Sequence, residues 1–278
     1  MNITKIKIAS PLFILRNEAQ KDLFAVLEKL SALGFDGVEF LGFFGKSPRE
    51  IREKLDSLSL KAVSNHVGAN EFIKDPDKVI NDHLEIGCGY ITISWSDGSI
   101  KPGMDGFDAI IKNIGCLARL CRDKGITPLY HNHAFELLTN PPMLDIIIDS
   151  CNKDGLCLEP DLGWIMTGQA DPAAYLRKYA DRCPVIHVKD VYAEDFSKIG
   201  SGGDLTARKA NPDAGYFEFR PTGYGLLNLP KLMPLCLKCN PEWFVVDHDA
   251  SYDRNIYADL KLSLDYTRNL LAIAGDNI

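Results

Sequence analysis

Short apolar runs alternate with longer amphipathic stretches along almost the whole chain. Short apolar runs bounded by turn residues are typical of buried strands, whereas apolar positions three and four residues apart are typical of helices. Eight strands are predicted, at Ile6–Ala9, Gly37–Phe40, Lys61–Asn65, Tyr90–Ser94, Ile126–His131, Leu156–Glu159, Val185–Val188 and Trp243–Asp247. Eight helices are predicted between and after them, at Glu18–Leu33, Pro48–Leu58, Asp75–Ile86, Phe107–Lys124, Pro142–Ser150, Pro172–Ala180, Leu229–Cys239 and Arg254–Ala274.

This alternation predicts an α/β fold, a single-domain (β/α)8 TIM barrel that takes in residues 1–278. The alternative is an open, doubly wound sheet, but the first strand-to-helix turn lacks the Gly-x-Gly-x-x-Gly of nucleotide-binding sheets. One polar stretch with several glycines, residues 192–224, interrupts the alternation. Long irregular segments are often functional. We therefore expect a long loop there that covers the substrate site, with an oligomer contact as the alternative.

The composition is that of an ordinary globular protein and argues against some functional classes. Apolar residues make up 46% of the chain and charged residues 25%, which fits a protein with a sizeable core. The net charge of −7 argues against a nucleic-acid partner, because nucleic-acid-binding proteins usually carry a basic face. No apolar run approaches the length of a membrane span, and the eight cysteines lack paired zinc-binding spacing. We expect a cytoplasmic protein with reduced thiols and no membrane partner.

The histidines are concentrated at the predicted strand ends, which is where barrel enzymes place their active sites. His131 and His133 close the fifth predicted strand, and residues two apart in a strand point to the same face. Three more histidines fall at or just past other strand ends, namely His66, His187 and His248. Taken singly, each is more often a hydrogen-bonded structural residue. Their joint placement predicts a functional site.

A metal site is predicted where the fifth to eighth strands end. Each of these strands offers one potential ligand, in order His131, Asp161, His187 and Asp247. Two imidazoles and two carboxylates suit one divalent ion of Mn, Co, Fe or Zn, and suit Mg less well. The structural alternative is that Asp161 caps a turn and Asp247 solvates a loop.

Six motifs carry a resemblance to a known family. They are Gly34–Phe40, Asn65–Gly68, Tyr130–Glu136, Asp161–Trp164, Val185–Asp190 and Gly223–Gly225. In this order they resemble the sugar phosphate isomerase/epimerase family, which has a xylose-isomerase-like TIM barrel. The similarity runs from about Ile8 to Leu271. The motifs are specific for the superfamily and poorly specific for the substrate.

The resemblance implies one divalent metal held by four side chains of strands five to eight, commonly Glu, Asp, His and Glu. Asp161 and His187 match this pattern, whereas His131 and Asp247 stand where the family usually has Glu. In the epimerase branch these two glutamates also act as bases on opposite faces of the substrate. A metal-bound imidazole nitrogen cannot take a proton, so this two-base epimerisation does not carry over directly.

Proton transfer must then come from other residues on the active face. We predict catalytic roles for His133, Glu39 and Lys189. We predict substrate contacts for four further residues, His66, Trp95, Glu136 and Arg220.

The function implied by the resemblance is a metal-dependent isomerase or epimerase of a ketose or related polyhydroxy carbonyl compound, acting through an enediolate. The alternative is a metal-dependent lyase or dehydratase of a keto-inositol or 3-keto-glycoside, because loss of a β-substituent shares the first step. A metal-dependent endonuclease and a non-catalytic sugar-binding module are weaker alternatives. The expected partner is a small carbohydrate, and the oligomeric state stays open.

Overall fold

The structure is a computed structural model that describes residues 6–94, 98–199 and 215–276. Trp95, for which a substrate contact is predicted, lies outside the described residues. So does the middle of the predicted loop, residues 200–214.

Eight parallel strands form a nearly closed barrel. The strands of the chain, two of which lie outside the barrel, are β1 Lys7–Pro11, β2 Gly37–Phe40, β3 Lys61–Gly68, β4 Tyr90–Ser94, β5 Thr127–His131, β6 Cys157–Glu159, β7 Val185–His187, β8 Asp190–Ala193, β9 Phe217–Arg220 and β10 Trp243–Val245. The barrel order is β6-β5-β4-β3-β2-β1-β10-β7. A parallel bridge between Asp161 and His187 links the two end strands just beyond β6. The predicted barrel fold is thereby confirmed.

The helices follow the barrel strands as the sequence predicts. They are α1 Arg16–Leu33, α2 Pro48–Ser57, α3 Ala69–Lys74, α4 Pro76–Ile86, α5 Phe107–Asp123, α6 Met143–Ser150, α7 Leu162–Thr167, α8 Pro172–Lys178, α9 Phe196–Ile199, α10 Leu229–Lys238 and α11 Ile256–Asp276. Local chemistry sets several boundaries: Ser47 and Glu50 form a capping box at the start of α2, and Gly34 ends α1 with a φ of 97°. None of the helices in the described ranges is long and apolar enough to cross a membrane.

Two of the apolar clusters in the core belong to the barrel itself. The larger lies between the strands and the outer helices and includes Ile8, Leu27 and Leu30. A separate small cluster comes from β1, β3, β5, β7 and β10 and consists of Ala9, Val63, Leu129, Val185, Trp243 and Val245. The strand residues in this cluster precede the polar residues at the strand ends. The base of the barrel is therefore apolar and its carboxyl end is polar.

The region predicted as an irregular loop contains regular structure. Strands β8 and β9 form an antiparallel hairpin, and α9 follows β8. The buried carboxylate of Asp190 holds the segment after β9 by accepting hydrogen bonds from the backbone N–H groups of Gly223, Gly225 and Leu227 at 2.8–2.9 Å. Gly223 and Gly225 thus mark a tight turn around one buried acceptor.

Candidate metal centre and active-site cavity

An open cavity lies at the carboxyl ends of the barrel strands. Its lining mixes apolar side chains with buried histidines and charged groups: Pro11, Leu12, Phe13, Glu39, Phe40, Leu41, His66, Ser94, His131, His133, Trp164, His187, Lys189, Asp247 and Asp249. A cavity with a few convergent polar groups on an otherwise apolar wall is typical of small-molecule sites.

The four residues for which a metal site is predicted lie together beside this cavity. His131, Asp161, His187 and Asp247 each offer a ligand atom within 4.8 Å of the others. The Oδ2 atom of Asp161 is 3.4 Å from His131 Nε2 and 3.9 Å from His187 Nδ1. The His187 Nδ1 atom is 3.2 Å from Asp247 Oδ2. Tetrahedral ligands with bonds of about 2.0–2.2 Å lie about 3.3–3.6 Å apart, so this tetrad has the right dimensions for one cation.

Asp161 shows how local structure prepares the tetrad. Its Oδ1 atom accepts the Trp164 backbone N–H at 2.8 Å and caps α7. The Asn132 side chain fixes its backbone, because Asn132 Oδ1 accepts the Asp161 N–H at 3.0 Å. The turn-capping role considered from the sequence is therefore real, and it leaves Oδ2 to face the tetrad.

Unsatisfied buried atoms support a cation at this position. Within the described ranges, Asp247 Oδ1 and both ring nitrogens of His131 make no hydrogen bond, and Asp161 Oδ2 has only its ion pair with Lys189 at 3.1 Å. Such orphaned groups are uncommon in protein interiors. Burial, and next the positive charge of His187, hold the pKa of His131 well below its usual value. A neutral imidazole is the form that binds metal, so the donor set fits a divalent ion.

Lys189 places a fixed positive charge beside the tetrad. The side chain is 1% exposed, and its Nζ lies 3.1 Å from Asp161, 3.0 Å from Asp247 and 2.9 Å from Asp249. Burial alone would lower the pKa of Lys189, but these carboxylates raise it further than burial lowers it. The ammonium also stands 4.7 Å from the centre of the Trp164 ring. Lys189 is therefore held as a cation on the cavity wall.

Two further predicted residues, Glu39 and His66, line the cavity next to a carboxylate that sequence reasoning missed. Glu39 lies 3.1 Å from both His66 Nε2 and His187 Nε2. The missed residue is Glu159, which is fully buried and lies 3.5 Å from each of the same two nitrogens. It precedes Asp161 by two positions, and that strand spacing was the available signal that both face inward.

His133 lines the cavity and is its most accessible predicted proton carrier, with 36% of the side chain exposed. Its ring stacks on Phe135, and its Nδ1 lies 3.7 Å from Glu136 Oε1.

Among the described residues, Glu136 and Arg220 do not line the cavity, and their substrate contacts stay a prediction. Glu136 is fully buried, and its carboxylate accepts hydrogen bonds from the Tyr130 hydroxyl at 3.1 Å and the His133 backbone N–H at 2.9 Å. Arg220 pairs with Glu218 at 3.3 Å and packs over the Tyr192 ring.

Comparison with known proteins places the chain in a family. The family model described as xylose isomerase-like TIM barrel matches residues 27–269. An inosose dehydratase of Geobacillus kaustophilus (strain HTA426) is 23% identical over 188 residues, which are 60% of this chain and 61% of that protein. The chain thus spans about three fifths of that relative's length.

Two solved structures share the fold at low identity. A sugar phosphate isomerase/epimerase from Parabacteroides distasonis ATCC 8503 aligns with a TM-score of 0.73 and 16% identity over 94% of this chain and 93% of its own. The IOLI protein with a bound zinc atom aligns with a TM-score of 0.74 and 12% identity over 96% and 98%. Because the family match extends over most of the barrel, the chain belongs to the xylose isomerase-like TIM barrel family, with sugar phosphate isomerase/epimerase proteins among its structural neighbours.

Proposed function

We propose that the chain is a divalent-metal-dependent lyase that removes a β-substituent from a cyclic polyhydroxylated ketone, as water from a keto-inositol or as an alcohol from a 3-keto-glycoside. The observation that carries the proposal is the placement of His133, the most accessible of the predicted proton carriers, beside a tetrad that has the dimensions of a metal site. The similarity to an inosose dehydratase supports the dehydratase reading over the isomerase expected from the sequence.

The tetrad His131, Asp161, His187 and Asp247 would hold the cation. When bound, a cation there would polarise a substrate carbonyl and stabilise negative charge on its oxygen. Two imidazoles and two carboxylates favour Mn, Co, Fe or Zn over Mg. Glu39 Oε2, at 3.1 Å from His187 Nε2, orients the ring so that Nδ1 faces the tetrad.

His133 is the residue we assign to proton transfer. Glu136 fixes the backbone of His133 by accepting its N–H at 2.9 Å, and Phe135 stacks on the ring, which lines the cavity. His133 takes the proton from the carbon next to the carbonyl, and the C–H electron pair enters the enediolate. The C–O bond to the β-substituent then breaks, and the same proton leaves on that oxygen, as water from a keto-inositol or as the free alcohol from a 3-keto-glycoside. Lys189, fixed by three carboxylates, stabilises the negative charge of the enediolate.

This single-base geometry suits elimination better than epimerisation. Epimerisation needs a second group to return the proton from the opposite face. In the epimerase branch that the chain resembles, the two bases stand at the ligand positions held here by His131 and Asp247, and both belong to the tetrad. A β-elimination needs one group, because proton removal and leaving-group protonation can use the same imidazole.

Product analysis tests the proposal. The protein loaded with Mn²⁺ is incubated in D₂O with a keto-inositol, a 3-keto-glycoside and a panel of ketoses, and products are followed by mass spectrometry and NMR. The expected product is a keto-inositol that has lost one water, or an unsaturated keto-sugar formed together with the free alcohol of the 3-keto-glycoside. An Asp161→Asn variant should lose both metal and activity. An isomeric product that carries deuterium and retains all its oxygens would overturn the lyase and restore the isomerase alternative.

A further inference from the structure

A second group of potential metal ligands, here called the inner group, lies next to the tetrad and shares His187 with it. This inner group consists of Glu39 on β2, His66 on β3 and Glu159 on β6, with His187 of the tetrad beside them. One ligand atom from each of these four residues lies within 4.8 Å of the others. His187 separates the two groups, because its Nδ1 faces Asp247 at 3.2 Å and its Nε2 faces Glu39 at 3.1 Å.

The inner group contains buried polar atoms that the described residues do not satisfy. Glu159 is 0% exposed, and the Thr92 hydroxyl donates to its Oε2 at 2.9 Å. Its Oε1 makes no hydrogen bond. His66 Nε2 also lacks one, although it lies 3.1 Å from Glu39 Oε1 and 3.5 Å from Glu159 Oε2. A lone imidazole nitrogen between two carboxylates is a donor set for a cation.

The balance of buried charges also favours a second cation. At the tetrad, a divalent cation and the Lys189 ammonium together balance the three carboxylates around Lys189. The inner group then adds two buried carboxylates. His187 cannot carry the balancing proton while one of its nitrogens binds the first cation. A proton on His66 would balance only one carboxylate and leave a buried negative charge, which is strongly unfavourable. A second divalent cation balances both.

We propose that Glu39, His66 and Glu159 form a second site for a divalent transition-metal ion, separate from the tetrad. The ligand separations of 3.1 and 3.5 Å around His66 Nε2 are close to the about 3.3–3.6 Å of a tetrahedral site. His187 donates its Nε2–H to Glu39 Oε2 and so couples the two sites as a shared orienting residue.

The geometry gives the second site access to substrate. Glu39 and His66 both line the cavity, whereas Glu159 lies behind them. Three protein ligands leave a coordination position open, as in catalytic rather than structural sites. If the proposed function holds, two cations on one cavity would bind two oxygens of a polyhydroxylated substrate. The second site itself does not depend on which reaction the protein catalyses.

Metal stoichiometry tests the site without reference to activity. Purified protein is saturated with Mn²⁺ or Zn²⁺ and freed of excess metal by gel filtration. The number of metal ions per chain is then measured by elemental mass spectrometry. The wild type is compared with Glu159→Gln, which keeps an acceptor for Thr92 but removes the charge, and with Asp161→Asn. The matched control is Glu136→Gln, a buried glutamate outside both groups. Circular dichroism checks that each variant is folded.

We expect two metal ions per chain in the wild type and the control, and one in each of the other variants. One ion in the wild type that survives Glu159→Gln and disappears in Asp161→Asn would overturn the second site and leave the tetrad intact. One ion with the opposite pattern would support the inner site and overturn the tetrad. Should a variant fail to fold, anomalous scattering from wild-type crystals grown with Mn²⁺ decides: two peaks support the proposal, and a single peak at the tetrad refutes it.

Discussion

Replacing Lys189 with Met tests whether this buried ammonium balances the charge of the candidate metal centre. Its Nζ lies 2.9–3.1 Å from carboxylates of Asp161, Asp247 and Asp249, and its side chain is 1% exposed. Methionine is similar in length and can still pack on the Trp164 ring, but it carries no charge. The substitution therefore isolates the electrostatic contribution of Lys189.

The expected loss of stability is large when metal is removed. Deleting one partner of a buried ion pair lowers the free energy of unfolding by about 3–5 kcal/mol, because the remaining charges stay buried without a partner. In a chain of this size, each kcal/mol corresponds to about 2–4 °C in Tm, so Tm should fall by about 6–20 °C. A bound cation would neutralise two of the three carboxylates. The loss should therefore be clearly smaller at saturating Mn²⁺ than in EDTA.

Lys178→Met is the matched control. Lys178 Nζ also contacts two carboxylates, at 3.0 Å from Asp145 and 3.5 Å from Asp149, but its side chain is 45% exposed. Exposed pairs of this kind contribute about 0–1 kcal/mol. Urea unfolding and calorimetry of both variants, with EDTA and with Mn²⁺, give the comparison. A Lys189→Met loss that is no larger than the control, or that is equal with and without metal, would refute the reasoning.

Three further predictions concern neighbouring residues. His133→Gln should keep its metal while turnover falls by about 10²-fold or more, as measured by metal analysis and kcat; full activity would exclude His133 as the base. Gly163→Ala should lower the free energy of unfolding in urea by about 1–3 kcal/mol, because a Cβ there would lie 2.6 Å from the Lys189 carbonyl oxygen. The control is Gly89→Ala, which should be nearly neutral in the same assay, because a Cβ at Gly89 meets nothing within 4 Å. Burial lowers the pKa of His248 to about 4, from 6.5 in the unfolded chain, so the metal-free protein should lose stability as pH falls from 6.5 towards 4. His248→Gln should flatten that part of the measured pH–stability curve, and an unchanged slope would contradict the assignment.

The amino-acid sequence by itself determines the order and type of the barrel elements. The predicted bounds of Gly37–Phe40 and Tyr90–Ser94 agree with the structure residue for residue. Local signals are sufficient there, because caps, glycine stops and apolar periodicity act within a few residues. Side chains at the ends of parallel strands must then meet at one end of the barrel. That is why the sequence also predicts that His131 and Asp161 lie close together at that end, as their ligand atoms do.

Tertiary structure alone decides which of these side chains face the ligand and how they pair. Glu136 follows the strand-five motif, yet the Tyr130 hydroxyl draws it away from the cavity. The contact of Glu39 with His187 joins residues 148 positions apart, and it selects the ring nitrogen that is left for the tetrad. Pairing of the β8–β9 hairpin likewise depends on partners far apart along the chain. Sequence periodicity predicts only to which face of its own strand a side chain points. The pairing of that side chain depends on which residues of other strands lie opposite it.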